Sequence, residues 1–425
     1  MIEVFKFGGA SVKNAEGVKN ISQIIQYHSS HPLLIVVSAM GKTTDALERL
    51  TKAYFEGLGS VHEIFEDIKT YHFQIAHELF SDGTNPVFDD ISNTFVEIDW
   101  ILEDEPFNFD YIYDQIVSVG ELVSTKIVSH YLNYTGIKSQ WADARNYIQT
   151  DNTYREGKVD WNKTRHLAEA QLLPLVQQQI VVTQGFIGST SENFTTTLGR
   201  EGSDYSAAIF ASCLQASAVT IWKDVPGVLN ADPKWFDHTE LIPQLSYHDA
   251  IELAYYGATV IHPKTIKPLQ NNNIPLHVRS FLKPDAAGTT IGHTEKPLRV
   301  PSFIFKVNQV LISILPKDFS FIIEENLSQI FDILHQHRIK VNTMLNSALS
   351  FSISVDHDEE KITKLIAALS VTYKVKYNKG MELVTIRYYD QQTIGRVTEN
   401  KKVLLEVRSR HTCQMVMKDN IQAFE

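Results

Sequence analysis

The chain alternates short apolar runs with longer stretches of helical spacing. Ile2–Phe7 is mostly apolar, interrupted by Glu3 and Lys6, and Leu33–Val37 is apolar throughout. The second pattern is that of a strand covered on both faces. A helix is predicted after each, over Ala15–His28 and Thr44–Tyr54. Val61, Ile64, Phe65, Ile68, Tyr71, Phe73 and Ile75 keep a helical pattern through Val61–Leu79. Two further helices are predicted over Phe88–Glu103 and Asp110–Tyr134. Next come a weak strand at Lys138–Asp143, a helix over Lys163–Gln178 and a strand at Ile180–Gly185. An apolar helix at Ala207–Ala216 and a buried strand at Ala218–Trp222 follow. Helices over His248–Tyr256 and Lys264–Asn271 and strands at Leu276–Arg279 and Thr289–Ile291 close the series. This alternation predicts an α/β sandwich with a largely parallel sheet. Ligands should then gather at the carboxyl ends of its strands.

The pattern changes at the proline-flanked stretch Pro297–Pro301, which separates a domain at 1–296 from a C-terminal region at 301–425. There, strands at Val310–Leu315, Lys340–Met344 and Leu349–Val355 alternate with helices at Ile322–His335 and Ile362–Leu369. Units of this size suit the ferredoxin-like fold. Glu382–Tyr388, Val403–Arg408 and Thr412–Met417 predict a second, shortened unit. The C-terminal unit is expected to mediate self-association, an expectation its apolar strand Leu311–Leu315 motivates.

Composition excludes several classes. With 43% apolar and 21% charged residues the chain is globular. A net charge of -11 without a basic cluster makes it a poor partner for nucleic acid or an anionic membrane. No apolar run is long enough to predict a membrane span. Cys213 and Cys413 lie far apart and form neither a zinc pattern nor a disulfide framework. The sequence enters a strand directly, without a signal-peptide pattern, and a cytoplasmic protein is expected.

The candidate chemistry sits at the strand ends. Gly8, Gly9 and Ser11 are small enough for a phosphate to approach the backbone, with Lys6 beside them as a compact positive charge. Ser38 and one of Thr43 or Thr44 can line a polar pocket at the next strand end. The string GKTT at Gly41–Thr44 is not a phosphate loop, because Val36 stands where that motif requires glycine. Gly199–Asp204 reads GREGSD, with Ser203 at the expected N-cap and Asp204 in the first helical turn. Arg200 offers a planar fork for a carboxylate. Glu121, next to Gly120, reads equally well as a surface residue or as a ligand contact. Asp224 follows the strand Ala218–Trp222. The histidines His62, His72, His77 and His130 show no metal-ligand spacing, and no protein metal ligand is assigned.

Seven blocks, in order, resemble the aspartate kinases of the amino acid kinase fold. They are KFGGASV (Lys6–Val12), VVSAMG (Val36–Gly41), VGE (Val119–Glu121), TQGFIG (Thr183–Gly188), GREGSDYSAA (Gly199–Ala208), KDVPGVLNADP (Lys223–Pro233) and YYGATVIHP (Tyr255–Pro263). The resemblance implies a three-layer kinase domain followed by ACT-type regulatory units that pair subunits, with no appended second enzyme. It implies ATP-dependent phosphorylation of L-aspartate, with Mg²⁺, at the head of lysine, threonine and methionine synthesis. Lys6 would neutralise the transferring phosphoryl group, with Asp204 in the same network. Ser38, Glu121 and Arg200 would hold the amino acid, with Thr43 and Thr44 nearby, and Gly8, Gly9 and Ser11 would lie under the phosphates. Lys223, Asp224, Leu229, Lys234 and Thr259 fall on the nucleotide side. Four of these depart from the family pattern: Lys223 replaces threonine, Leu229 tyrosine, Lys234 arginine and Thr259 lysine. The last and first suggest a cation moved from position 259 to 223. Ala348, within Asn346–Ser350, lacks the family's acid, and the usual glycine-rich effector loop is missing from Pro316–Phe321. A lysine or threonine effector and a homodimer or higher oligomer are expected. A kinase for glutamate or a carbamate-like acid fits the Arg200/Glu121 pair less well, and a nucleotide-degenerate subunit is the non-catalytic alternative.

Overall fold

The computed structural model describes residues 1–28, 32–236, 238–258, 261–294, 299–318 and 320–419. The chain clusters into two compact units. The first comprises Met1–Val228, Leu241–Ile251 and Val260–Pro297. The second comprises Leu229–Glu240, Glu252–Thr259 and Leu298–Glu425. Of the expected boundary stretch Pro297–Pro301, positions 297 and 298 lie outside the described residues.

Among the described residues, unit one holds ten strands: β1 (Glu3–Phe7), β2 (Leu33–Val37), β3 (Ser139–Ala142), β4 (Ile180–Gln184), β5 (Ile187–Ser189), β6 (Thr195–Thr197), β7 (Ala218–Lys223), β8 (Gln244–Ser246), β9 (Leu276–Ser280) and β10 (Thr289–Gly292). Eight form one sheet in the order β3-β4-β2-β1-β7-β9-β10-β8, and β5 and β6 form a separate hairpin. Among the described residues, only the β9–β10 pairing in the large sheet is antiparallel. The largely parallel sandwich expected from the sequence is therefore present. Its central strands are apolar because both faces are covered: all five residues of β2 are buried. In β1 the alternation has a consequence. Phe5 and Phe7 join the helical core with Trp222, whose ring stacks on Phe7 at 6.0 Å. Lys6 takes the opposite face.

The helices are α1 (Ala15–His28), α2 (Thr43–Phe55), α3 (Val61–Leu79), α4 (Val87–Glu103), α5 (Phe109–Val117), α6 (Val119–Tyr134), α7 (Trp161–Leu167), α8 (Leu173–Gln178), α9 (Gly202–Leu214), α10 (Tyr247–Tyr256) and α11 (Pro263–Asn271). The single helix expected over Asp110–Tyr134 is two, α5 and α6, meeting at Ser118. The helix expected at Ala207–Ala216 begins earlier, at Gly202, and its N-cap is Glu201 rather than Ser203. Glu201 adopts a left-handed conformation, with φ 56°, and the Gly202 amide donates to the Gly199 carbonyl at 3.0 Å. The turn thus closes before Ser203, which lies buried inside the first helical turn.

Unit two is built on a six-stranded sheet with the order β12-β13-β11-β14-β16-β15. Its strands are β11 (Ser302–Pro316), β12 (Val341–Ser347), β13 (Ser350–Asp356), β14 (Tyr373–Arg387), β15 (Lys401–Arg408) and β16 (Thr412–Asp419), and its helices are α12 (Glu324–Gln336), α13 (Glu359–Thr372) and α14 (Gln391–Thr398). Two long strands, β11 and β14, pair antiparallel along their length with irregularities around Gln309. The second half of β11 adds β13 and β12, whereas the second half of β14 adds β16 and β15. Each long strand therefore serves two ferredoxin-like units, the second with one helix fewer. One core gathers Ile312, Ile330, Phe351 and Leu365, and another gathers Phe303, Val384, Ile394 and Met415. The apolar run Leu311–Leu315 is covered within this unit. It lies in a central strand flanked on both sides, with Ile312 and Ile314 fully buried.

Candidate active site

The strand order reverses about β1: β2 lies on one side and β7 on the other, which opens a crevice at their carboxyl ends. The loop after β1 carries Gly8 and Gly9. A Cβ at Gly9 would lie 2.8 Å from the Gly41 carbonyl oxygen and 2.9 Å from that of Ala39. Glycine is required there so that the loops after β1 and β2 can meet, and the Gly41 amide donates to the Gly9 carbonyl at 3.0 Å. A Cβ at Gly185, after β4, would lie 2.5 Å from the Ser203 Cβ, so this strand end closes on α9. The Phe186 amide donates to Ser206 Oγ at 2.9 Å, which ties the same loop to the helix.

These approaches bring α9 against the face of β1 that carries Lys6. Lys6 is 7% exposed and its Nζ lies 2.6 Å from Asp204 Oδ1. Asp204 is fully buried. Its other oxygen lies 3.3 Å from the Nζ of Lys223 at the end of β7. Burial alone would raise the Asp204 pKa, but Lys6 and then Lys223 outweigh it and hold the carboxyl below its ordinary value.

Glu121 is also interior, 2% exposed, in the first turn of α6. Its Oε1 accepts the Ala39 amide at 3.3 Å, and Oε2 is buried without a hydrogen-bond partner. Burial raises its pKa to about 8, against the opposing pull of the Ala39 amide and the Lys6 charge. An unpartnered buried carboxylate oxygen is costly and marks a place for a donor. The surface alternative for Glu121 is thereby excluded. Ser11 repeats the pattern in the glycine loop: its hydroxyl is buried without a partner, while its amide donates to the Gly8 carbonyl at 2.9 Å.

The other predicted residues divide. Ser38 is half-buried between its amide bond to the Phe7 carbonyl and the Ser124 hydroxyl on its own carbonyl. Thr43 is buried, and its hydroxyl lies 2.6 Å from the Met40 carbonyl and 3.3 Å from His72 Nε2. Thr44, half-buried in the same turn, is the more accessible of the two. Arg200 and Asp224 are exposed. Leu229 and Lys234 belong to segment 229–240 of unit two. Thr259 lies outside the described residues.

The sequence reading missed two supports. His72 is fully buried on α3, held by the Ile68 carbonyl at 2.7 Å and lowered by burial to a pKa of about 4. It braces Thr43 at the start of α2. Asp114 accepts from the Thr197 hydroxyl and amide and from the Arg155 amide. It thereby anchors β6 just ahead of the GREGSD turn. The available signal was a polar side chain on an otherwise apolar helical face, flanked by Ile68 and Ile75 or by Ile112 and Val117.

The arrangement has a glycine-lined, cationic strand-end crevice beside a buried acid. The sequence model of the amino acid kinase family matches residues 1–280. Lysine-sensitive aspartokinase 3 of Escherichia coli (strain K12) is 32% identical over 397 residues, covering 91% of this chain and 86% of the relative. The crystal structure of E. coli aspartokinase III in complex with lysine and aspartate (T-state) superimposes with a TM-score of 0.83 at 29% identity, covering 99% of this chain and 96% of that one. The same enzyme in complex with aspartate and ADP (R-state) gives a TM-score of 0.80, also at 29% identity, covering 98% and 96%.

Proposed function

The chain belongs to the aspartokinases of the amino acid kinase family, and from that premise we propose that it transfers the terminal phosphoryl group of ATP to the side-chain carboxylate of L-aspartate. The product is 4-phospho-L-aspartate, formed at the first step towards lysine, threonine and methionine. The observation that carries this reading is the buried Lys6–Asp204 pair beside Gly8–Gly9, with the partnerless oxygen of Glu121 at the neighbouring strand end.

Aspartate presents one ammonium and two carboxylates. Glu121 receives the ammonium, and Arg200, exposed on the turn before α9, clamps the α-carboxylate through its planar fork. Ser38 and Thr44 line the same pocket, while Thr43 fixes the turn that holds them. The β-carboxylate is already ionised at neutral pH, so attack on phosphorus needs alignment and charge neutralisation rather than a strong base. Lys6 supplies charge next to the glycine-loop amides, and Asp204 holds its ammonium in place. Gly8, Gly9 and Ser11 receive phosphate oxygens, with Asp224 assigned to the nucleotide side.

Among the described residues no group of three His, Cys, Asp or Glu side chains could hold a metal ion. Asp204 is already shared by two lysines. A Mg²⁺ ion fits this site bound chiefly to the triphosphate and water, with few protein carboxylates, and would supply further charge neutralisation. We assign 1–296 to catalysis and the paired ferredoxin-like units to ACT-type regulation, with lysine or threonine as effector and self-association through unit two. No helix of the described residues is long and apolar enough to cross a membrane, which is compatible with the cytoplasmic location we propose.

The test is release of ADP by purified protein with L-aspartate, with L-glutamate or with no acceptor. Aspartate alone should stimulate release. Equal stimulation by glutamate would favour a broader amino acid kinase, and no stimulation would leave a non-catalytic subunit.

A further inference from the structure

Asp204 is shared, and the sharing is unequal. Lys6 contacts one oxygen at 2.6 Å and its side chain is 8% exposed; Lys223 contacts the other at 3.3 Å and is 19% exposed. One ammonium is enough to balance one buried carboxylate, and the longer, more exposed contact is that of Lys223.

Sheet register explains how both lysines reach the same acid. Lys6 pairs with Ile221 across the parallel β1–β7 ladder. Paired residues face the same side, and so do residues two apart on one strand. Lys223, two beyond Ile221, therefore shares the face of Lys6 and stands about 6.6 Å further along, at the strand's open end. Helix α9 covers this face and places Asp204 between the two ammonium groups. A Cβ at Gly8 would lie 3.4 Å from the Lys6 Nζ. The glycine loop, Lys6 and Lys223 thus bound one stretch of the crevice.

We propose that Lys223 is a second phosphate-contacting cation for the nucleotide, and that Asp204 acts as the common anchor that sets the spacing of the Lys6 and Lys223 ammonium groups. This rests on the kinase reading above. It assigns to the end of β7 a positive charge that the family pattern does not place there. A chain of phosphates lying over Gly8–Gly9 meets one lysine from each of two neighbouring strands. A lysine suits this because its ammonium is compact and its stem is flexible.

The experiment titrates the full-length protein with a non-hydrolysable ATP analogue, with adenosine and with L-aspartate, by calorimetry. Lys223→Thr should weaken the analogue at least about tenfold, as expected for loss of a charge-assisted phosphate contact. Adenosine and aspartate should change less than about twofold, because neither uses that charge. Lys223→Arg should retain most of the affinity, and Lys223→Gln, which keeps the side-chain length, should lose it as threonine does. In turnover the loss should fall on the KM for ATP and on kcat, with the KM for aspartate nearly unchanged. If Lys223→Thr and Lys223→Gln bind the analogue like the parent, Lys223 is only a counter-ion of Asp204 and the proposal is overturned. Equal weakening of analogue and adenosine also overturns it, since the effect would then be general to the site. A parent protein that binds no analogue and releases no ADP with aspartate would instead refute the kinase reading itself.

Discussion

Glu121 and Lys6 illustrate opposite uses of burial. The Glu121 carboxyl is raised by burial from 4.5 to about 8, so near pH 7 it is mostly protonated before substrate arrives. Pairing with the aspartate ammonium needs the carboxylate, so binding should release a proton and affinity for aspartate should rise between about pH 6 and 8. Calorimetry in two buffers of different ionisation enthalpy would show it; a pH-independent affinity would contradict the assignment. The same shift penalises the folded state above the ordinary value, increasingly up to about pH 8, and Glu121→Gln should therefore raise Tm near pH 8 and leave it little changed near pH 4. Lys6 is buried with its counter-ion instead. Lys6→Ala should lower kcat about a hundredfold or more, with a smaller change in the KM for aspartate. A near-normal kcat in steady-state assays would remove it from the chemical step.

At the scale of elements, strand identity was legible wherever apolar runs were short, as at β1 and β4, each followed at once by glycine, and at β2 and β7. Helix ends were less so. The start of α9 depends on Glu201 taking a left-handed conformation, which the residue type itself disfavours. The break at Ser118 lies inside a continuous helical pattern. The strand holding Lys6 and the helix starts holding Asp204 and Glu121 could be named from their residues, but the burial of Glu121 and the bridging by Lys223 depend on contacts distant in sequence. A central strand and an exposed edge strand share an apolar pattern, so the covered position of Leu311–Leu315 was not legible in the sequence. The exposed candidate is β12, at the edge of its sheet, with Met344 and Leu345 at 52% and 43% exposure and Leu349 beside it at 45%. Unpaired edges with apolar side chains recruit further strands. Leu345→Lys should therefore reduce the particle size seen in sedimentation without lowering helix content. An unchanged size would place self-association elsewhere.

For the molecule as a whole, the net charge of -11 coexists with a cationic crevice. Overall charge governs solubility and long-range steering, whereas the phosphate site is set by a few residues at the strand ends. Regulation belongs at this scale as well. The tandem ferredoxin-like units are present, but Ala348 and the segment Pro316–Phe321 depart from the family's effector pattern. L-lysine or L-threonine, added singly, should still lower aspartate-dependent ADP release and raise Tm, because a ligand that binds only the folded state stabilises it. If neither amino acid changes rate or melting, the units serve assembly without these effectors.

The long strands β11 and β14 have one more consequence. Ser302–Lys306 of β11 pairs with Leu383–Arg387 of β14 in the single-helix unit, while the rest of both strands serves its neighbour. Neither unit owns a complete set of strands, so neither can open alone without breaking the ladder of the other. Amide hydrogen exchange should report this as one cooperative block. The backbone protons of Phe303–Phe305 and of Ile312–Ile314 should exchange with a single opening free energy and respond together to denaturant. Two separate exchange isotherms would mean that the shared strands fray independently at their irregular midpoint near Gln309.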